Sequence, residues 1–204
     1  MGGRQRVGSF AAAVTLVALV TALCVGCEPT VPAGPTHKRV LVVGDSLTVG
    51  AVKAGEGSDE PHWTTDAVSG RGTDAGVVAA RWDDPHHYDL IIIELGTNDY
   101  RDTEEVYAAR IDQMMAVIGK KRPVIWVDVD AYNPAIKAAA KGVNPAIRAA
   151  HDRYPNIRVG AWQQYAHHYA GFSKMRSADG VHYTPAGFAV LAAFTERLAN
   201  EDPR

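Results

Sequence analysis

A serine directly follows the first short apolar run beyond the N-terminal region. The run Arg39–Val43 leads straight into Gly44-Asp45-Ser46-Leu47. Because short runs rich in valine and leucine predict β-strands, we expect Ser46 to lie at the carboxyl end of a strand, where a hydroxyl is a candidate nucleophile. The four-residue string alone is a weak indication, since glycine, aspartate and serine are common turn formers.

A second polar cluster, Asp179–His182, precedes the last predicted helix and offers a base for that serine. Serine attacks poorly at neutral pH unless a base takes its proton, and imidazole is the usual base. Asp179 lies three residues before His182, so a folded-back loop would let it fix the imidazole tautomer and stabilise the protonated ring. The alternative is an ordinary Asp-Gly turn at Gly180 beside a histidine that only flanks a helix.

Hydrogen-bond donors for a developing oxyanion are available at two further places. Asn98, within Gly96–Asp99, carries a side-chain amide at the end of a predicted strand. The segment Ser69–Thr73 offers backbone N–H groups just before a predicted helix, and Ser46 adds its own. Glycine lets a chain approach a substrate closely, although glycines also interrupt ordinary loops.

The elements that must position these clusters alternate between strand and helix, which predicts an α/β fold with helices on both faces of a parallel sheet. Predicted strands cover Arg39–Val43, Asp89–Leu95, Val124–Val129 and Ile157–Val159, and predicted helices cover Thr73–Trp82, Thr103–Ile118, Asn144–Tyr154 and Pro185–Ala199. Ligands bind at the carboxyl ends of the strands in such sheets, and the polar clusters fall at those ends or in loops beside them.

The N-terminal segment has the architecture of an export signal. Arg4 and Arg6 precede the uncharged apolar run Val7–Val25, and Cys27 follows a small residue just beyond it. This pattern resembles a bacterial lipoprotein signal, in which such a cysteine is lipidated and becomes the first mature residue. Simple secretion and an uncleaved membrane anchor are the alternatives, since the run is near the minimum length for a bilayer span. All three predict a location outside the cytoplasm.

The composition predicts one globular domain after a short tether. Of the 204 residues, 47% are hydrophobic and 22% are charged, as is ordinary for a globular chain. The proline-containing stretch 28–37 predicts an extended tether, and the folded domain is expected to cover 38–204. A formal net charge of −2 makes nucleic acid an unlikely class of partner. Both cysteines precede the domain, which excludes a disulfide or a cysteine-based metal site within it.

Taken together, the four clusters resemble the blocks of the SGNH (GDSL) hydrolase family in their order along the chain. The matching segments are Gly44–Leu47, Ala67–Gly70, Gly96–Asp99 and Asp179–Gly187, and the resemblance extends over about Arg39 to Leu198. It implies a three-layer α/β/α flavodoxin-like fold and catalysis without a cofactor. It also implies roles for five residues: Ser46 as nucleophile, His182 as base, Asp179 as its partner, and Ser46, Gly70 and Asn98 as oxyanion donors.

One departure from the family pattern concerns the glycine block. Family members often continue Ser-Gly-Asp-Thr, whereas here Arg71 and Gly72 stand before Thr73. Gly72 is therefore an alternative backbone donor, although the alignment of the preceding Ala-Val-Ser favours Gly70. Asp45 and Asp99 belong to the motifs, and we expect them to hydrogen-bond the loop backbone near the site.

Several other residues could contact substrate or metal. Tyr100 and Arg101 directly follow the asparagine block and are the candidates for substrate binding. The pairs His86-His87 and His167-His168 lack acidic residues at ligand spacing, so no metal is expected. Glu94 is expected to be a strand-end carboxylate whose charge is paired or solvated.

These observations predict a serine esterase acting on a lipid, an acylated glycan or an O-acetylated sugar through an acyl-enzyme on Ser46. An acyltransferase that moves an acyl group to a cell-envelope sugar would use the same residues. A non-catalytic glycan- or lipid-binding module is the third possibility, and its expected mark is loss of the serine, the base or the oxyanion donors. None of these is lost in the sequence.

Overall fold

A computed structural model describes residues 38–201 of the chain. A five-stranded sheet is formed by β1 (Val40–Gly44), β2 (Trp63–Ala67), β3 (Leu90–Glu94), β4 (Val124–Val127) and β5 (Ile157–Gly160). All pairings are parallel, and the strand order is β2-β1-β3-β4-β5. This is the flavodoxin-like order of a doubly wound sheet, which confirms the expected fold class.

The described part of the chain contains six α-helices and three short 3₁₀-helices. The α-helices are α1 (Ser46–Lys53), α2 (Thr73–Trp82), α3 (Glu104–Ile118), α4 (Val143–Arg153), α5 (Trp162–His168) and α6 (Pro185–Glu201). The 3₁₀-helices cover Pro85–His87, Pro134–Ala140 and Phe172–Met175. Threonines cap two of the α-helices: Thr103 Oγ1 accepts a hydrogen bond from Val106 N–H ahead of α3, and Thr184 Oγ1 accepts one from Gly187 N–H at the start of α6.

Successive side chains of each strand point to opposite faces of the sheet, so the apolar side chains are divided between two cores. Leu41 and Ile91 face the side covered by α2, α3 and α4, whereas Val42 and Ile92 face the side covered by α1, α5 and α6. Because β1, β3 and β4 are buried on both faces, nearly every residue in them is apolar. The result is the three-layer α/β/α arrangement.

Two elements near the site differ from the sequence-based expectation. β2 was not predicted, because its sequence Trp-Thr-Thr-Asp-Ala has no apolar run; it is a half-buried edge strand, which tolerates polar residues. The helix α1 was not predicted either, because eight residues including Gly50 give little helical signal. It forms because Asp45 caps its first turn and Leu47 and Ala51 bury its inner face.

The topology brings the ends of β1 and β3 together. These strands are hydrogen-bonded neighbours, and the chain leaves β1 towards β2 on one side before it returns to β3 on the other. A crevice opens at such a reversal of strand order, outside the carboxyl ends of the strands. Ser46 follows β1 and Asn98 follows β3, so both lie at this crevice.

The predicted signal segment 1–27, with Cys27, and the predicted tether 28–37 lie outside the described residues, as do 202–204. Between residues 38 and 201, no helix combines the length and the apolar character that crossing a bilayer requires.

Candidate active site

Ser46 is the first residue of α1. The carboxylate of Asp45 accepts a hydrogen bond from the N–H of Leu47 at 2.8 Å and so caps the helix. The N–H groups in a first helical turn have no intrahelical partner, and the helix dipole favours negative charge beside them. The hydroxyl and the N–H of Ser46 therefore lie where a developing anion is stabilised.

His182 faces Ser46 through one ring nitrogen and Asp179 through the other. Its Nε2 lies 2.9 Å from Ser46 Oγ, and its Nδ1 lies 2.7 Å from Asp179 Oδ2. The N–H groups of Val181 and His182 donate to Asp179 Oδ1, both at 2.8 Å, and together with the ring contact they lower the pKa of Asp179 to about 2. An ionised carboxylate only accepts hydrogen bonds, so Nδ1 carries the proton and Nε2 is the acceptor facing the hydroxyl.

The loop that carries Asp179 and His182 closes on itself. Ser177 N–H donates to the carbonyl of His182 at 2.8 Å, and Gly180 N–H donates to the carbonyl of Ser177 at 3.2 Å. Gly180 has a φ of +72°, which a side chain would strain. The Asp-Gly turn weighed as the alternative in the sequence is present, and it is this turn that lets the carboxylate reach the histidine.

Neighbouring segments hold this loop in place. The side-chain amide of Asn133 donates to the carbonyl of Val181 at 2.9 Å, and the N–H of Ala135 donates to the carbonyl of Gly180 at 3.2 Å. Just before the loop, the Arg176 guanidinium donates to both oxygens of the fully buried Asp130, at 2.8 and 3.0 Å. None of these supports was predicted from the sequence, because they come from the chain beyond β4.

Asn98 links the loops that follow β1 and β2. Its Nδ2 donates to the carbonyl of Arg71 at 2.9 Å and lies 3.3 Å from Asp45 Oδ2. The Arg71 guanidinium in turn contacts the carbonyl of Gly44 and forms a 2.7 Å ion pair with Asp66. The serine, glycine and asparagine blocks therefore meet at one place.

Gly70 and Gly72 are each favoured as glycine, but for different structural reasons. Gly70 has a φ of +79° in a turn closed by the 3.1 Å hydrogen bond from Arg71 N–H to Val68. Gly72 has an ordinary φ, but a Cβ atom there would lie 3.0 Å from Asp99 Oδ1. Asp99 also accepts hydrogen bonds from the N–H and hydroxyl of Thr73, at 2.8 and 2.7 Å, as expected for a residue that holds the loop backbone.

Two buried carboxyl groups lie beneath the site. Burial raises the pKa of Asp45 to about 7 and also raises the pKa of Glu94. The expectation for Glu94 was wrong: its charge is neither paired nor solvated, because the side chain is buried and accepts hydrogen bonds from the hydroxyls of Thr48 and Thr195 at 2.7 and 2.6 Å. These threonines come from α1 and α6, whose packing on this face was not visible in the sequence.

A groove of about 610 Å³ opens beside Ser46 and His182 between α1 and the start of α6. Among the described residues, Tyr100 and Arg101 do not line it; the Arg101 guanidinium lies over the Tyr100 ring, 5.0 Å from its centroid. Their contact with substrate stays a prediction. The groove residues outside the motif blocks, such as Val49, Lys53 and Phe188, were missed because α1 and α6 lie far apart in sequence.

Each histidine pair makes local contacts of its own. His87 contacts Asp84 at 3.0 Å, and the ring of His167 stacks on Tyr132 with centroids 4.5 Å apart. Across residues 38–201, no group of three or more histidine, cysteine or acidic side chains is arranged to hold a metal ion.

Solved structures with the same fold include lipases, acylhydrolases and the catalytic domain of an O-acetyltransferase. The chain is similar to a lipase/acylhydrolase from Enterococcus faecalis (19% identity, 81% of this chain and 97% of that one covered, TM-score 0.66). It is also similar to a GDSL-like lipase from Bacteroides thetaiotaomicron (21%, 80% and 88%, 0.61). A third is the C-terminal catalytic domain of peptidoglycan O-acetyltransferase A from Streptococcus pneumoniae (18%, 82% and 92%, 0.59).

No curated protein matches the chain. The model of the GDSL-like lipase/acylhydrolase family, by contrast, matches residues 42–190. Because this match covers more than half of the chain, the protein belongs to the GDSL-like lipase/acylhydrolase family, the SGNH-type serine hydrolases that act on ester bonds.

Proposed function

We propose that the protein is a serine esterase that cleaves carboxylic esters through an acyl-enzyme on Ser46. The observation that carries this proposal is the continuous hydrogen-bonded chain from Asp179 through His182 to Ser46. In the first step, Ser46 Oγ attacks the ester carbonyl while His182 Nε2 takes its proton and then delivers it to the leaving alcohol. In the second, His182 Nε2 takes a proton from the water that attacks the acyl-enzyme and delivers it to Ser46 Oγ as the carboxylic acid leaves. Asp179 stabilises the imidazolium that forms in each step.

We assign the oxyanion hole to the N–H of Ser46, the N–H of Gly70 and the side-chain amide of Asn98. The hydrogen bond from Asn98 to Arg71 supports this assignment, because Arg71 directly follows Gly70 in the same tight turn. One N–H of the amide stays on the Arg71 carbonyl, and the other, 3.3 Å from Asp45 Oδ2, turns to the oxyanion when substrate binds. Donors aimed at the charge that develops in the transition state are often the largest single contribution to catalysis. No cofactor takes part in these steps.

A fluorophosphonate probe together with short p-nitrophenyl esters tests the nucleophile. We expect the probe to label the wild type, and we expect Ser46→Ala and His182→Ala to lose on the order of 10³-fold or more in kcat. Ser58→Ala and His86→Ala, at exposed positions away from the groove, are the matched controls and should retain activity. An unlabelled wild type, or full turnover by Ser46→Ala, contradicts the proposal.

Acyl transfer to a sugar hydroxyl is a second candidate, supported by the fold shared with the peptidoglycan O-acetyltransferase A domain. His182 has 39% of its side chain exposed, so an alcohol could reach the acyl-enzyme from the same side as water. The enzyme should be supplied with an acyl donor and glycan fragments together. Accumulation of acylated glycan at the expense of free acid identifies a transferase, and unchanged release of free acid identifies a hydrolase.

The N-terminal sequence supports a proposed location in the cell envelope. A charged start, an apolar run and Cys27 fit a lipoprotein signal, which would anchor the domain to a membrane through the tether 28–37. Lipid esters and acylated glycans are the substrate classes available in that compartment. Mass spectrometry of membrane-extracted protein should find a lipidated Cys27 as the first residue, whereas an unmodified mature N-terminus excludes lipidation.

A further inference from the structure

We propose that Lys53 forms an anion-binding subsite of the groove, so that the preferred ester carries a carboxylate or phosphate group beyond a short apolar linker. This inference rests on the proposed esterase function and names the class of its substrate. The observations that carry it are the position of Lys53 on the helix of the nucleophile, the charges around the groove, and the apolar wall between them.

Helical spacing puts Lys53 on the same face as Ser46. The positions of Ser46, Val49, Gly50 and Lys53 differ by three, four and seven residues, so their side chains form one stripe along α1, and all four line the groove. Seven residues advance about 10 Å along a helix axis. Helical side chains lean towards the N-terminus, which brings the Lys53 ammonium back towards the reaction centre.

Lys53 is the fixed positive charge of the groove. None of the described residues that line it is acidic, and His182 is its only other ionisable side chain. In the part of the chain that the structure describes, the Lys53 ammonium makes no ion pair or hydrogen bond, whereas most arginines are paired with carboxylates. An exposed ammonium that the fold does not use is available to a ligand.

The wall between the two groups is apolar. Val49 and Gly50 lie between Ser46 and Lys53 on α1, and they line the groove together with Phe188 and Ala189 of α6. A Cβ atom at Gly50 would lie 2.1 Å from Phe188 Cε1, so this glycine is what allows the ring to approach the helix. A ligand that runs from Ser46 to Lys53 therefore meets carbon atoms first and a positive charge at the end.

Two matched ester pairs test the proposal from either side of the scissile bond. Mono-p-nitrophenyl adipate against p-nitrophenyl hexanoate places the charge on the acyl group. 4-Acetoxybenzoate against its methyl ester places it on the alcohol. We expect the wild type to favour the anionic member of at least one pair when kcat/KM is divided by the intrinsic hydrolysis rate of each ester, and added salt should reduce this preference.

Three variants show whether Lys53 causes that preference. Lys53→Gln should lower kcat/KM for the anionic ester about two- to fivefold, as expected for an exposed ion pair, and leave the neutral ester unchanged. Lys53→Arg should restore the preference. Lys121→Gln, which removes an exposed lysine in the loop before β4, is the matched control and should behave as the wild type.

The outcomes separate this inference from the esterase proposal. If the wild type hydrolyses neutral esters but shows no preference in either pair, or if Lys53→Gln keeps the preference, the anion subsite is wrong and the esterase stands. If the fluorophosphonate probe does not label the wild type, the esterase proposal itself fails.

Discussion

Asn98 Nδ2 lies 3.3 Å from Asp45 Oδ2, and this contact joins the serine block to the asparagine block through a carboxyl group that is fully buried. The other oxygen of Asp45 caps α1 through the N–H of Leu47. Burial raises the pKa of Asp45 to about 7, with the nearby charge of Glu94 acting in the same direction. One buried carboxyl group therefore contacts both the helix that begins at Ser46 and a proposed oxyanion donor.

The first prediction concerns stability against pH. The pKa of Asp45 is raised from 3.8 to about 7 in the folded protein, so the folded state binds this proton more tightly than the unfolded state. Protonation of Asp45 therefore contributes up to about 4 kcal/mol to the free energy of unfolding. This contribution is fully present below about pH 4 and is lost as the pH rises towards 7. Asp45→Asn keeps an oxygen for the helix cap but cannot ionise. Urea unfolding should find the variant more stable than the wild type at pH 8 and similar to it at pH 4.

The exposed substitution Asp59→Asn is the control for that experiment and should leave the pH dependence of unfolding unchanged. If Asp45→Asn follows the wild-type curve between pH 4 and 8, Asp45 is ionised throughout this range and burial does not raise its pKa as described.

The second prediction concerns the oxyanion hole. Asn98→Ala removes one donor and should lower kcat about 10²- to 10³-fold with little change in KM, because the bond to the oxyanion strengthens only in the transition state. Asn98→Asp replaces the donor with a carboxylate and should be at least as slow. Asn98→Ala also loses the hydrogen bonds to Arg71 and Asp45, so urea unfolding should show a loss of about 1–2 kcal/mol in a variant that is still folded. Unchanged kcat in Asn98→Ala would remove this residue from the hole.

The third prediction concerns the tautomer of His182. In Asp179→Asn the amide can donate to Nδ1, which moves the ring proton to Nε2 and leaves no acceptor for the Ser46 hydroxyl. We expect kcat to fall about 10³- to 10⁴-fold and fluorophosphonate labelling to slow in parallel. Asp152→Asn, at an exposed position in α4, is the matched control. Labelling of Asp179→Asn at the wild-type rate would show that this carboxylate does not orient the base.

The sequence predicted the strands and helices whose residue pattern follows directly from their own burial or capping. β3 is a run of apolar residues because both of its faces are buried, and α3 begins after a threonine that caps it. The strand β2 escaped prediction because an edge strand needs no apolar run, and its position beside β1 depends on long-range pairing. The stability of a short helix such as α1 depends more on packing against the core than on the helix propensity of its residues.

For the site, the motifs predicted which residues meet but not what holds them. Ser46 and His182 are 136 positions apart, and their contact at 2.9 Å could be expected only because four blocks occur in a fixed order. Glu94 was assigned a paired or solvated charge, since nothing near it in sequence indicates the hydroxyls of Thr48 and Thr195. The groove residue Lys53 likewise gains its meaning only from the packing of α1 against α6.

The last prediction concerns the ion pair that anchors the loop of the base. Arg176→Met leaves the carboxylate of Asp130, which has no exposed surface, without its cation, and should reduce the free energy of unfolding by about 3–5 kcal/mol. The double variant Asp130→Asn/Arg176→Met removes the stranded charge and should recover part of that loss. The backbone of Arg176 pairs with that of Tyr183, next to His182, so a shift of Arg176 after loss of the ion pair should reach the histidine. We therefore expect kcat in both variants to stay below that of the wild type even where they are fully folded. Urea unfolding and turnover of a neutral ester, measured on the same samples, separate the effect on stability from the effect on catalysis. Wild-type stability of Arg176→Met would show that the ion pair does not hold this loop.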